Sequence, residues 1–308
     1  AGGDVVGGDD LSRLGYEQGA VSRTPHEMVY KQKGWGGFYY TVKVKWWYTG
    51  KKSIIGVWTI IAKSEDCKAY REASPNSYLV QLSAHTSWWK AYWSKSSIQL
   101  PDTLLNKQWY LELYKFGAAS RKGGPPISLQ AIWTADNGRL PPWKGDFHHD
   151  LNTQMSYWPG YTANHLVESS VYTDYLDAHK MSYQRYTELY FKTKGLNVPG
   201  VTTLEGTEMG GWIQYALSPT VSAWLSQHFY WQWKYSMDAH FLKTKAYPWF
   251  AAVATYLESI TRVNASGKRV LPLSSSPEIH DNSKDAWFTT NTNYDLSLMK
   301  YVFEKAAE

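Results

Sequence analysis

Three loops of this 308-residue chain carry the side chains best suited to chemistry. The first contains FHHDLN, in which His148, Asp150 and Asn152 alternate. In an extended segment alternate side chains share one face, so all three would face the same ligand. Trp, Asn and Gln side chains surround this motif, and a sugar needs such aromatic faces together with fixed donors and acceptors. A surface loop with fortuitous polar spacing remains open, as does capping of a helix that begins near Thr153.

The other two loops supply further carboxylates. Glu205, Glu208 and Trp212 lie among glycines that let the backbone approach a ligand closely. Glu278 follows Pro277, which restricts the backbone just before the carboxylate. Two carboxylates on converging loops suit glycoside cleavage, where one acid protonates the leaving oxygen and a second centre prepares water. The alternatives are that Glu278 is an ordinary solvated loop acid and that Glu205 and Glu208 have no role, since no motif surrounds them.

Metal and cofactor chemistry are not expected. His148 and His149 lack the HxxxH or HxH partners of a metal site. Protonation and water activation need only side chains, so no cofactor is implied. Trp212, Trp224, His228 and Trp231 have a simpler interpretation as core packing, which helical spacing favours.

The composition favours a glycan-binding protein and argues against several other classes. The chain has 17 Trp and 24 Tyr against 9 Phe, an excess of rings with a polar group. This excess suits partly exposed sugar contacts, although a large aromatic core would also explain it. The net charge of +5 is spread without a dense basic tract, so nucleic-acid binding is not expected. Cys67 alone allows no disulfide, and no apolar run is long enough to span a membrane.

The elements that must position the loops are predicted to be strands in the first part of the chain and helices after it. FYYTVKVKWWYT and SIIGVWTIIAK alternate like half-buried strands and predict an antiparallel hairpin of a β-sandwich. From about Ser83 the spacing of apolar residues becomes helical. Helix pairs joined by long polar loops then continue to the end of the sequence, which is typical of a helical toroid with its binding groups on loops.

Several ordered segments resemble the catalytic region of glycoside hydrolase family 95, the inverting α-L-fucosidases and their α-L-galactosidase relatives. They are WWKAYWSKSSIQLPD, LYKFGAASRKGGPPISLQAIWTADNGRLPPW, HHDLNTQMSYWP, SPTVSAWLSQHFYWQWKYSMDAHFLKTKAYP and SSSPE. LPPW followed by LNTQMSYWP is the most specific part. The resemblance covers most of the chain after about residue 35.

The resemblance implies a mainly α protein with an (α/α)6-toroid-type catalytic region, incomplete here, preceded by β-sandwich strands. We expect a flexible or irregular lead-in over residues 1–34, the end of an N-terminal β-sandwich over 35–82, linker helices over 83–130 and the first part of the toroid over 131–308. The family continues with more helices, so a missing C-terminal part of the same protein is the expected partner that closes the barrel. The chain begins without Met, which also fits a processed or partial sequence.

The resemblance also implies roles for individual residues. Glu278 matches the general acid, and Asp150 and Asn152 match two Asn residues that position the nucleophilic water. His148 matches a sugar-contacting His, and Trp212 and His228 fall in segments that match the pocket. The family's further catalytic Asp comes from much later in the chain.

One departure from the family motif changes the expected chemistry. Asp150 stands where the family has Asn, which orients water through its amide and relies on another carboxylate for proton removal. Asp can accept the proton directly if its pKa stays low enough. We therefore expect Asp150 to act as base or co-base while Asn152 orients the water.

The predicted function is that of an inverting exo-glycosidase removing terminal α-L-fucosyl or related α-L-galactosyl residues from glycans or plant polysaccharides. A carbohydrate-binding or scaffolding protein that keeps the sugar pocket without turnover is the alternative. A polysaccharide lyase would need a basic pair beside its Tyr or His base, and these loops contain no such cluster. For a glycan degrader we expect a periplasmic or secreted bacterial location.

Overall fold

The structure, a computed structural model, describes residues 15–63, 78–129, 145–276, 278–280 and 282–308. The Gly/Asp-rich start of the chain, the LPPW motif and Pro277 lie outside the described residues. The described residues form two compact units. The first contains 15–63 and 78–93, and the second contains 94–129 and the described residues from 145 onward.

The first unit contains a four-stranded antiparallel sheet in the order β1-β2-β3-β4. Its strands are β1 Ala20–Thr24, β2 Glu27–Lys33, β3 Tyr39–Gly50 and β4 Ser53–Lys63. β3 and β4 form the predicted hairpin, with Val44 opposite Trp58 in the register. One helix, α1 Tyr78–Trp93, belongs to the same unit.

The sheet begins earlier than the sequence predicted. Residues 20–33, which fall in the predicted irregular lead-in, form β1 and β2. All five residues of β1 are exposed, so no apolar alternation marks the strand in the sequence. Main-chain pairing holds it instead, with Ala20 opposite Lys31. The predicted linker over 83–130 is also divided, because α1 belongs to the first unit and the residues after Trp93 to the second.

The second unit is helical, as its sequence pattern predicts. Its helices are α2 Thr103–Ala119, α3 Asn152–Thr162, α4 Leu166–Ala178, α5 Lys180–Tyr186, α6 Ile213–Ala216, α7 Val221–Ser236, α8 Ala239–Phe241, α9 Tyr247–Ile260 and α10 Asn293–Ala307. One π-helical turn follows α5, and another joins α8 to α9. Two short antiparallel ladders pair β5 Phe147–His148 with β6 Val201–Thr202, and β7 Arg262–Val263 with β8 Arg269–Val270.

Helix α7 lies at the centre of this unit and packs against α3, α4, α9 and α10. The core between them is rich in tyrosine. Fully buried members include Tyr157, Tyr172 and Tyr183. Part of the aromatic excess therefore comes from core packing rather than from a glycan surface. Across the described residues, no helix combines the length and the apolarity that a membrane span requires.

Candidate functional site

The β5–β6 ladder positions the HHD motif. Phe147 pairs with Thr202 and His148 with Val201, and the His149 N–H donates a hydrogen bond of 2.7 Å to the carbonyl of Gly200. The extended backbone ends at His148, so the predicted alternation does not continue through the motif. Asp150 lies buried in the following turn, and Asn152 is exposed as the first residue of α3.

Neither Asp150 nor Asn152 caps the helix. The N-cap position of α3 is Leu151, which makes no side-chain capping hydrogen bond. Neither polar residue therefore occupies the N-cap position that the capping interpretation assigned to them.

Asp150 is a desolvated carboxyl group. Only 6% of the surface of Asp150 is exposed. Burial raises the pKa of its carboxyl group from 3.8 to about 6. The nearby His148 and the backbone N–H groups of Asp150 and Leu151 oppose this rise, whereas the charge of Glu278 adds to it. Among the described residues, Asp150 Oδ1 is buried without a hydrogen-bond partner. This oxygen therefore has unused acceptor capacity.

Glu278 is exposed, and its charge acts on Asp150. Its backbone has a φ of 58°, in the left-handed region that a residue with a Cβ seldom adopts. Strained conformations of this kind concentrate at functional sites. The charges of Glu278 and Asp150 both reach Tyr215, whose pKa is raised mainly by burial and further by these two carboxyl groups. The charges of the two acids thus act on each other and on Tyr215, and their assignment to catalysis stays a prediction.

Helix α6 connects the two loops that carry these acids. The Ile213 N–H donates to Asn282 Oδ1 at 3.0 Å, next to the Glu278 loop. The Gly200 N–H donates to the carbonyl of Tyr215 at 3.0 Å, and the Gly200 carbonyl accepts from His149. A Cβ at position 200 would lie 2.3 Å from the Tyr215 carbonyl oxygen, so this contact requires glycine.

Trp212 and Tyr215 form an aromatic wall beside the acids. Their rings stack with centroids 5.8 Å apart and an interplanar angle of 16°. Trp212 is partly exposed, so its indole has a face available to a ligand. Its position next to Tyr215 fits the predicted contact with a sugar, whereas sequence alone did not single out Tyr215.

His148 is also part of this site. Its Nε2 lies 3.3 Å from Asp146 Oδ2, and the His148 side chain is 17% exposed. When protonated, its imidazole lowers the pKa of Asp150.

His149 points away from the site, into the core. Its Nδ1 lies 2.7 Å from the Tyr172 hydroxyl and its Nε2 lies 2.9 Å from Thr202 Oγ1. Burial lowers its pKa to about 3, so it remains neutral. The Gln154 side chain donates to the His149 carbonyl at 2.6 Å. This buried network holds the main chain just before Asp150 in place.

The structure corrects the prediction for His228. This side chain is fully buried, with Nδ1 3.1 Å from the Tyr161 hydroxyl and Nε2 3.2 Å from Gln154 Oε1. Burial lowers its pKa to about 3. With both nitrogens engaged inside the core, His228 supports Gln154 and does not contact a substrate. The core-packing alternative is the right one here.

Glu205 and Glu208 do not join the acid pair. Glu205 is exposed, and Glu208 accepts a hydrogen bond of 3.2 Å from the Tyr190 hydroxyl. Within the described ranges, no group of three or more His, Cys, Asp and Glu side chains is arranged to hold a metal ion.

Asp295, in α10, anchors the chain just before Glu278 and was not identified from the sequence. Its Oδ2 accepts the Ser275 N–H at 3.0 Å and also accepts from the Ser274 hydroxyl, while its Oδ1 accepts from Thr220. Burial raises the pKa of Asp295, and its hydrogen bonds oppose that rise. The sequence gives no sign of this role, because an Asp near a helix start usually indicates capping.

Comparisons with known proteins identify the family of this chain. The sequence profile described as "Glycosyl hydrolase family 95 catalytic domain" matches residues 83–308. Alpha-L-fucosidase 2 of Arabidopsis thaliana is 27% identical over 201 residues, which are 62% of this chain and 24% of the relative. Probable alpha-fucosidase A of Aspergillus niger is 25% identical over 209 residues, which are 60% of this chain and 26% of the relative. The matched part thus spans about a quarter of the length of these curated relatives.

A solved structure shares the fold. The putative kojibiose phosphorylase from human microbiome superposes with a TM-score of 0.64 at 13% identity, over 94% of this chain and 42% of that chain. At this identity the likeness concerns the fold alone. The family assignment comes from the sequence profile, whose match covers more than half of the chain and includes both Asp150 and Glu278. This match shows that the chain belongs to glycosyl hydrolase family 95 through its catalytic domain.

Proposed function

We propose that the protein is an inverting exo-glycosidase that hydrolyses terminal α-L-fucosyl residues of glycans. The observation that carries this proposal is that Asp150 and Glu278 interact electrostatically with each other and with Tyr215, whose ring stacks on Trp212. Both curated relatives are named as fucosidases, which supports the choice of sugar. The related α-L-galactosyl residue differs from α-L-fucosyl by one hydroxyl on C6, and it is the second substrate that we propose to test.

The proposed reaction is a single displacement at the anomeric carbon. The Glu278 carboxyl group donates its proton to the glycosidic oxygen as the bond from C1 to that oxygen breaks. A water molecule on the opposite face forms the new bond to C1 and gives its proton to the Asp150 carboxylate. The exposed amide of Asn152 orients that water, and the sugar leaves as the β-anomer.

The burial of Asp150 sets the pH range of this mechanism. A base must be ionised, and a pKa of about 6 means that Asp150 is ionised above about pH 6. A pKa of about 6 supports the proposal that Asp150 acts as base in neutral and alkaline solution. We expect kcat/KM of the free enzyme to rise with pH through about 6 and this acidic limb to be absent in Asp150→Asn.

We also propose that the helical unit is the first part of an (α/α)6 toroid and that the β1–β4 sheet is the end of a β-sandwich. The likeness to the phosphorylase over 94% of this chain supports a common architecture. The remaining helices of the toroid would come from a C-terminal part of the same protein. Catalytic tests therefore use the complete protein that contains these residues.

The decisive experiment compares Glu278→Gln with the wild type on two fucosides. A general acid contributes about 10²–10⁴-fold, so hydrolysis of an α-L-fucoside with an alcohol leaving group should fall by that factor. α-L-Fucosyl fluoride has a leaving group that needs no proton, so its hydrolysis should fall much less. Glu205→Gln, which removes an exposed carboxyl group from another loop, is the matched control and should leave both rates unchanged.

The same assay identifies the mechanism and the alternative function. Proton NMR of the first turnovers should show β-L-fucose before mutarotation, and α-L-fucose as first product would refute inversion. Full activity of Glu278→Gln on the alcohol leaving group would refute the assignment of the acid. A complete protein that binds L-fucose and releases none from any α-L-fucoside or α-L-galactoside would be a carbohydrate-binding protein instead.

A further inference from the structure

We propose that Asp146 is a positioning residue that fixes the tautomer of His148, so that His148 Nδ1 accepts a hydrogen bond from a sugar hydroxyl. The inference rests on the proposed function for the identity of the ligand. The tautomer itself follows from the contact between the two side chains, in which His148 Nε2 lies 3.3 Å from Asp146 Oδ2.

The chemistry of the pair determines where the proton lies. An ionised carboxylate only accepts hydrogen bonds, so the contact requires a proton on His148 Nε2. In the neutral imidazole the other nitrogen, Nδ1, must then be the acceptor. The contact is shielded from water, because the Asp146 side chain is 10% exposed and its Oδ1 is buried without a hydrogen-bond partner among the described residues.

The backbone around Asp146 holds the carboxylate in place. Asp146 directly precedes β5, and its carbonyl accepts the Leu129 N–H at 3.0 Å. His148 lies in β5 itself, where its main chain pairs with Val201. Both partners of the contact are therefore attached to ordered main chain, and a fixed tautomer needs such rigidity.

Only one of the two adjacent histidines is suited to bind a ligand. Both ring nitrogens of His149 are engaged, by Tyr172 and Thr202. The described residues give Nδ1 of His148 no partner, and His148 interacts electrostatically with Asp150, two residues further along the chain. A sugar bound beside Asp150 would thus meet an acceptor, and one of its hydroxyl groups must donate to it.

This arrangement makes His148 a specificity-determining contact. A hydroxyl that donates to Nδ1 keeps its own oxygen lone pairs for other donors, whereas a sugar without that hydroxyl leaves Nδ1 unpaired. Sites built to hydrogen-bond a substrate hydroxyl discriminate strongly against the analogue that lacks it. Two alternatives exist. Either Asp146 only stabilises the loop, or a doubly protonated His148 donates to Asp146 and to Asp150 at the same time.

Nitrogen NMR of the histidine rings tests the tautomer without any need for turnover. The spectrum is recorded on the ¹⁵N-labelled protein at neutral to alkaline pH, and His148 is assigned by the signal that disappears in His148→Gln. We expect a pyrrole-type shift for Nε2 and a pyridine-type shift for Nδ1. Two pyrrole-type shifts, or a proton on Nδ1 alone, would overturn the proposal.

Asp146→Asn then tests the cause. The Asn amide can donate to Nε2, so the proton of a neutral His148 is free to move to Nδ1, and the two shifts should approach or exchange. An unchanged His148 spectrum in a folded Asp146→Asn protein would show that Asp146 does not set the tautomer. If this variant does not fold, the wild-type spectrum still decides whether Nδ1 is the acceptor.

Hydrolysis of deoxy-fucosides connects the tautomer to the substrate. Removing the one hydroxyl that donates to Nδ1 should lower kcat/KM of the wild type about tenfold or more, and this penalty should largely vanish in Asp146→Asn. Equal penalties in both proteins would contradict the role of Asp146 in specificity. If the predicted tautomer is seen while no fucoside is bound or cleaved, the proposed function and the sugar contact of His148 are both refuted. The role of Asp146 in fixing the tautomer would then still hold.

Discussion

Replacing Asp150 by Asn should stabilise the protein at neutral pH, although it removes the proposed base. The folded-state pKa of Asp150, about 6, lies above its ordinary value of 3.8. The folded protein therefore binds the proton more tightly than the unfolded chain does. The contribution of Asp150 to the free energy of unfolding is fully present below about pH 4, and it is lost as the pH rises through about 6.

The size of the effect follows from the burial of Asp150. Each unit of pKa shift corresponds to about 1.4 kcal/mol, so the shift of Asp150 implies a loss of about 3 kcal/mol between pH 3 and pH 7. An amide in place of this carboxyl group would not titrate and would have a similar shape. Asp150→Asn should therefore match the wild type near pH 3 and exceed its free energy of unfolding by about 3 kcal/mol at pH 7, an upper value because water can enter around the turn.

Urea denaturation at several pH values measures this difference directly. The matched control is Asp285→Asn, which changes an exposed Asp and should alter the free energy of unfolding by less than about 0.5 kcal/mol at every pH. A parallel pH dependence of wild type and Asp150→Asn would refute the reasoning, because it would mean that Asp150 is solvated and titrates normally.

Two further predictions concern the residues that hold the acids in place. Asp295→Ala should lower the free energy of unfolding by about 3–5 kcal/mol in urea denaturation, because it leaves the buried donors of Ser274, Ser275 and Thr220 without their acceptor. A loss below about 1 kcal/mol would contradict this anchoring role. Gly200→Ala should cost about 1–3 kcal/mol and lower kcat, because its Cβ must displace the Tyr215 carbonyl; unchanged stability and kcat would show that α6 moves freely.

The elements that could be predicted from the sequence are those with a regular apolar pattern. The hairpin of β3 and β4 alternates clearly, and the helices from α2 onward repeat apolar residues at helical steps. β1 could not be predicted, because all its residues are exposed and main-chain hydrogen bonds alone define it. The aromatic composition could not distinguish a sugar-binding surface from a core, because the ring and hydroxyl of tyrosine suit both a sugar contact and a hydrogen-bonded core.

The site was predictable where a motif marked it. Asp150, Glu278 and His148 come from the family motifs, and His148 and Glu278 both act electrostatically on Asp150. His228 belongs to an equally similar segment, yet it lies in the core, because helical spacing does not reveal which face of α7 is covered. Tyr215 escaped detection, since its position depends on a long-range contact with Gly200 that no local pattern encodes.

The burial of Asp150 gives a physical reason for a carboxylate at this position. An Asp at its ordinary pKa of 3.8 would be a weak base, whereas a desolvated one with a pKa of about 6 holds a proton more strongly and is still ionised at neutral pH. The positive charge that develops on the sugar ring in the transition state would further favour the ionised form. The same desolvation that strengthens the base destabilises the fold, so stability and proton transfer depend on one property of Asp150. If the pH-dependent stability difference between wild type and Asp150→Asn is small, the acidic limb of kcat/KM must lie well below pH 6 as well.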